Sequence, residues 1–109
     1  MGYATTQELL SLPKPPTAII TDCNTHGDGA AMALAQLGRL TGENAVSLVV
    51  YDGLPQDSIV DIDVAAVIQS TRQGVGKQIA DMVRQLINGD DIDTLQVLWQ
   101  PEFSPGQTA

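Results

Sequence analysis

Two apolar runs, Thr17-Ala18-Ile19-Ile20-Thr21 and Ala45-Val46-Ser47-Leu48-Val49-Val50-Tyr51, each stop abruptly at an aspartate, Asp22 and Asp52, and an alanine-rich stretch lies between them. Both runs are strand-length and nearly free of polar interruption, which is the pattern of strands covered by helices on both sheet faces. The order strand, helix, strand then calls for a parallel, right-handed crossover. In open parallel sheets, ligands bind beyond the carboxyl ends of the strands. Two polar-tipped strand ends therefore predict half of a pocket.

The flanking sequence extends this α/β pattern. Residues 3–12 read as a helix ending before Pro13, and Lys14-Pro15-Pro16 as a stiff connector, because proline removes a donor and restricts the residue ahead of it. Residues 22–29 read as a loop that passes into a helix over 30–40, with Asn24, Thr25 or Asp28 as N-cap and Gly42 as its stop. After Asp52-Gly53-Leu54-Pro55 and an irregular acidic stretch comes a short strand at 64–68. Val75, Ile79, Met82, Val83 and Leu86 recur at helical spacing, predicting an amphipathic helix over 72–88 that Gly89 ends. A final strand is expected at 95–99 and a surface tail at 101–109. The fold class is α/β, a parallel sheet layered with helices. The long helix followed by an isolated strand looks built to join another sheet.

Thirteen acidic against five basic residues give a net charge of −8, and the five, Lys14, Arg39, Arg72, Lys77 and Arg84, are scattered. A nucleic-acid surface needs a basic patch, so this segment is not expected to touch DNA itself. One cysteine, Cys23, excludes an internal disulfide and suits a reducing compartment. The longest apolar runs are strand-length and no charged-then-apolar leader opens the chain, so neither a membrane span nor a signal peptide is expected.

Several pieces, read in order, resemble one known family. They are Leu9-Leu10; Pro15-Pro16-Thr17-Ala18-Ile19; Gly29-Ala30 ahead of Ala33-Leu34 and Leu37-Gly38; Val46 to Asp52; Val67-Ile68; Gly76; and Leu98, Pro101 and Glu102. Together they resemble the effector-binding region of lactose-repressor/galactose-repressor (LacI/GalR) transcription regulators. The resemblance implies a type I periplasmic-binding-protein-like fold whose two lobes clasp a small effector, usually a sugar or nucleoside-type metabolite. It places residues from about 2 to 70 in the C-terminal lobe, about 71–100 in the N-terminal lobe, and 101–109 in a tail. The DNA-binding headpiece of such a protein lies outside this sequence.

By the same resemblance, Asp52 is the strand-end aspartate that accepts hydrogen bonds from the effector, a role suited to an ionised carboxylate facing paired hydroxyl donors. A cap for the Gly53-Leu54-Pro55 turn is the structural alternative. Cys23 stands where the family usually has an effector-gripping amide, and Asn24 follows it as an effector neighbour and helix cap. Ser70 and Thr71 occupy the first crossover, Ser70 also being an effector contact, and Pro101 the second. Ala31, Met32, Ile59 and Val60 fall where the family forms a two-fold dimer.

Cys23 and His26 also raise the possibility of a thiol enzyme, and with Asp22 or Asp28 that of a metal site. Nucleophile–base pairs normally come from distant sequence and need an orienting third group, and donors within a flexible glycine-containing turn have no recognisable ligand spacing. No catalytic residue, metal ligand or cofactor is expected. The function implied is effector binding and homodimerisation for a cytoplasmic regulator that reaches operator DNA only through its headpiece. The alternative is a periplasmic sugar-binding protein of a transporter, which shares the fold.

Overall fold

A computed structural model of the chain describes residues 1–69 and 74–109. The elements are α1 (Gly2–Leu10), β1 (Ala18–Thr21), α2 (Asn24–Gln36), β2 (Ser47–Tyr51), β3 (Ala65–Ile68), α3 (Val75–Ile87), a 3-10 turn (Ile92–Thr94) and β4 (Glu102–Ser104). The strands form one sheet in the order β1-β2-β3-β4. As expected, β1, β2 and β3 are parallel, with Thr21 opposite Val50 and Tyr51 opposite Val67. That register brings three strand ends, followed by Asp22, Asp52 and Gln69, to one edge of the sheet.

The core is built from Ala30, Ala31 and Leu34 of α2, Leu48 and Val50 of β2, and Leu40, Val46 and Val64 at the strand approaches. Alternation along β2 decides its two faces: Leu48 and Val50 are fully buried, whereas Ser47, Val49 and Tyr51 are half-buried. Among the described residues no helix is long and apolar enough to cross a membrane.

The alanine-rich helix begins six residues earlier than expected, at Asn24 rather than residue 30, and ends at Gln36. Gly27 and Gly29, expected in a loop, are therefore helical, and packing explains them. A Cβ at Gly27 would lie 2.3 Å from Val50 Cγ1, and one at Gly29 would lie 2.6 Å from the Tyr3 nitrogen. The sheet and α1 approach α2 too closely for any other residue. None of the three expected caps is used: Cys23 is the N-cap, and its side chain makes no capping bond to a backbone N–H of the first turn. Nor does Gly42 end the helix. Gly38, at φ 67°, does so, with its N–H donating to Ala35 O and that of Arg39 to Leu34 O, the paired bonds of a Schellman stop. Gly89, at φ 88°, closes α3 in the same way, as expected.

Two C-terminal expectations change. Residues 95–99 form no strand. They belong to a compact unit spanning residues 69–102 that contains no complete strand among its described residues, and an isolated strand leaves its backbone groups unpaired. The expected surface tail instead belongs to the sheet's own unit, residues 1–68 with 103–109. Within it the Thr108 hydroxyl donates to Leu48 O at 2.6 Å and accepts from Ala65 N at 2.8 Å, while Leu48 N donates to Thr108 O at 2.8 Å. The β2–β3 register begins only at Val49 opposite Ala65. Thr108 supplies the bonds that the strands lack just before they meet.

Candidate functional site

Asp52 follows β2 directly and is the one non-glycine residue with positive φ, 66°, among the described residues. Gly53 continues at φ 72°. Aspartate tolerates this left-handed region better than most residues, yet it still costs more there than glycine would. The turn is held from within: Asp52 N donates to Val67 O at 2.8 Å, and Gly53 N donates to Val50 O. The chain thus lifts away from the sheet at Asp52 while its backbone stays tied to β2 and β3. Non-glycine residues in sparsely populated backbone regions cluster at ligand sites.

At the neighbouring strand end, His26 lies one helical turn beyond Asp22, and His26 Nδ1 is 2.6 Å from Asp22 Oδ1. The hydrogen bond to His26 is the main reason that the Asp22 carboxyl is held below its usual value of 3.8, against the opposing effect of desolvation. Cys23 Sγ lies 3.5 Å from Thr25 Oγ1, and the Thr21 hydroxyl bonds to Cys23 O. Asn24 is exposed at the start of α2. Cys23 and Asn24 thus stand at the end of β1, and Asp52 at the end of β2, on the same edge of the sheet.

The expected crossover residues Ser70 and Thr71 lie outside the described residues. Pro101 is exposed just ahead of β4, and the two units part at Ile68–Gln69 and Glu102–Phe103. Of the expected dimer residues, Ala31 is withdrawn: its side chain is fully buried in the chain's own core against β2, so no surface remains to meet a partner. Val60 is half-buried against the same core, Met32 is half-buried, and Ile59 is exposed. Asp28, an unusual residue for such a face, accepts a hydrogen bond from the Ser58 hydroxyl and so ties α2 to the segment carrying Ile59. Sequence reasoning weighed Asp22, Cys23 and His26 only as a metal set without recognisable spacing, and did not pair Asp22 with His26 because it placed residues 22–29 in a loop; the i, i+4 spacing was the available signal.

The parallel β1 to β3 layered with helices, with polar residues at the strand ends, is the arrangement of a periplasmic-binding-protein-like fold, as the comparisons with known proteins show. Residues 1–103 match the family of periplasmic binding proteins and sugar-binding domains of LacI regulators, and the chain belongs to this family. It is 66% identical over 107 residues to the HTH-type transcriptional regulator RafR of Escherichia coli, covering 98% of this chain and 32% of that protein. It therefore spans about a third of the curated relative's length. A solved structure of a proposed transcriptional regulator from Yersinia pestis biovar Microtus is 56% identical with a TM-score of 0.91, and the match covers 98% of this chain and 38% of that one. A LacI family transcriptional regulator from Bifidobacterium animalis subsp. lactis, 19% identical with a TM-score of 0.74 and the same coverage, shares the fold. None of these three is a transport protein.

Proposed function

We propose that the chain forms most of one lobe of the effector-binding domain of a cytoplasmic transcriptional regulator, with Asp52 as its principal effector contact. The place of Asp52 carries this reading: it follows β2 directly, at the same end of the sheet as Cys23 and Asn24, with its N–H anchored to Val67 O, and an ionised carboxylate there suits paired sugar hydroxyls. Cys23 and Asn24 extend the same surface, with a thiol where relatives use an amide, which changes the hydrogen bonds on offer to the effector. Ser70 is assigned to the same contact set and, with Thr71 and Pro101, to the crossovers.

The work is binding rather than catalysis. Effector differentially stabilises one arrangement of the two lobes, and the coupling free energy passes to the DNA-binding headpieces through a homodimer using Met32, Ile59 and Val60. Residues from about 71 to 100 complete the other lobe. The amphipathic α3 fits that role, since it buries no residue, and Ile79, Val83 and Leu86 along its apolar stripe are half exposed or more.

In the intact protein, Asp52→Ala weakens effector binding by about 1.5–3 kcal/mol, the range for a hydrogen bond to a charged group. Calorimetric titration with a panel of mono- and oligosaccharides tests this. An unchanged dissociation constant in a folded variant returns Asp52 to a turn cap. Asp52→Gly should lose the same affinity while leaving stability equal or raised by up to about 1 kcal/mol, because glycine adopts the turn without strain.

A further inference from the structure

The early start of α2 does more than correct a boundary. With residues 22–29 as a loop, Asp22, Cys23 and His26 have no fixed spacing; with Asn24 as the first helical residue, His26 on the first turn of α2 lies beside Asp22 and Cys23, which lead into it. One donor atom from each, a carboxylate oxygen, the thiol sulfur and a ring nitrogen, lies within 4.8 Å of the other two. Tetrahedral zinc with bonds of about 2.0–2.3 Å spaces its ligand atoms roughly 3.3–3.8 Å apart. The Asp22–His26 pair, at 2.6 Å, must open slightly and the thiol must close in. Rotation about side-chain torsions covers both movements, because all three residues are partly or largely exposed.

We propose that Asp22, Cys23 and His26 form a three-ligand site for a borderline-soft divalent cation of the zinc type. The donor set selects the ion: a thiolate and an imidazole favour zinc over magnesium or calcium, which take oxygen ligands. The Cys23-x2-His26 spacing allows two ligands from one chain turn to reach the same ion. On binding, the Cys23 S–H bond breaks, a sulfur–metal bond forms and the proton leaves to solvent. Thiolate and carboxylate together neutralise the double charge of the ion, so that the partly positive N-terminus of α2 faces a neutral complex rather than a bare cation. The Thr25 hydroxyl, 3.5 Å from Cys23 Sγ, orients the thiol from the second layer. Three protein ligands leave the fourth position open to water or a small oxygen donor. This site stands independently of the role assigned to Asp52.

Titration of the chain with Co²⁺, read by absorbance and followed by Zn²⁺ displacement, tests it. The expected result is one ion per chain, with a thiolate-to-cobalt charge-transfer band that zinc abolishes. C23S should remove the band. D22A and H26A should each weaken binding roughly tenfold or more, since losing even an outer partner of a ligand costs 10–100-fold. Circular dichroism checks the fold of each variant, and NMR shifts of the His26 ring on zinc addition to the unaltered chain report ligation without any substitution. Absence of the band, His26 signals unmoved by zinc, or D22A and H26A affinities equal to that of the unaltered chain would overturn the proposal; the last would mean a lone thiol binding metal.

Discussion

The Thr108 hydroxyl donates to the backbone oxygen of Leu48 at 2.6 Å across sixty positions of sequence, from a residue second from the end of the chain. The Thr108 hydroxyl oxygen in turn accepts from Ala65 N, so one side chain closes the gap where β2 and β3 have not yet paired. Thr108→Val keeps the shape but strands a buried acceptor and a buried donor. The chain should lose about 2–4 kcal/mol of stability, measured by urea unfolding. Thr108→Ser should restore most of it. A valine variant as stable as the parent would show that the tail merely rests on the sheet.

Glycine-to-alanine changes at two helical positions should have opposite signs. At Gly27 the new methyl meets Val50 Cγ1 at 2.3 Å, and overpacking against a fully buried strand residue costs about 1–3 kcal/mol, more than helix propensity returns. At Gly76 in α3 nothing lies within 4 Å, so alanine should stabilise that helix by up to about 1 kcal/mol. Thermal unfolding of G27A and far-UV circular dichroism of G76A provide the comparison. Equal effects would mean that α2 does not sit as closely on β2 as described.

On α3, Asp81 accepts from Lys77 Nζ at 2.9 Å and from Arg84 at 2.5 Å. The Lys77 hydrogen bond is the chief reason that the Asp81 carboxyl titrates below its usual 3.8, and Asp81 in turn raises Lys77 above its usual 10.5. A lowered acid contributes stability that is present above 3.8 and lost as pH falls through its folded value. A raised base contributes stability that is present below 10.5 and lost as pH climbs past its folded value. Helicity of α3 should therefore be greatest between these limits and fall at both ends, and Asp81→Asn should flatten both limbs. NMR titration of the Asp81 carboxyl carbon gives the direct readout; a midpoint at or above the usual value would contradict the pairing.

Much of this was legible locally. The strands at Ile19–Ile20 and Leu48–Val50, the parallel crossover, the amphipathic face of α3 and the Gly89 stop all follow from periodicity and the conformational freedom of glycine, which act over a few residues. Gly27 and Gly29 misled because a glycine that relieves crowding reads the same as one that permits a turn. Val50 and Tyr3, the neighbours that crowd them, are distant in sequence.

The candidate site divides along the same line. That Asp52 ends a strand was plain from the apolar run that stops at it, and its family resemblance followed. Its left-handed backbone, held by a bond to Val67 O, appeared only once β2 and β3 were paired. The absence of a strand at 95–99 and the burial of Thr108 were likewise decided by partners far along the chain. The sequence by itself determined α1, the three parallel strands β1 to β3, α3 and the glycine that stops it, because those preferences are set by near neighbours. Tertiary structure decided where α2 begins and what the last residues do. Close approach and long-range hydrogen bonding exist only after the chain has folded back on itself.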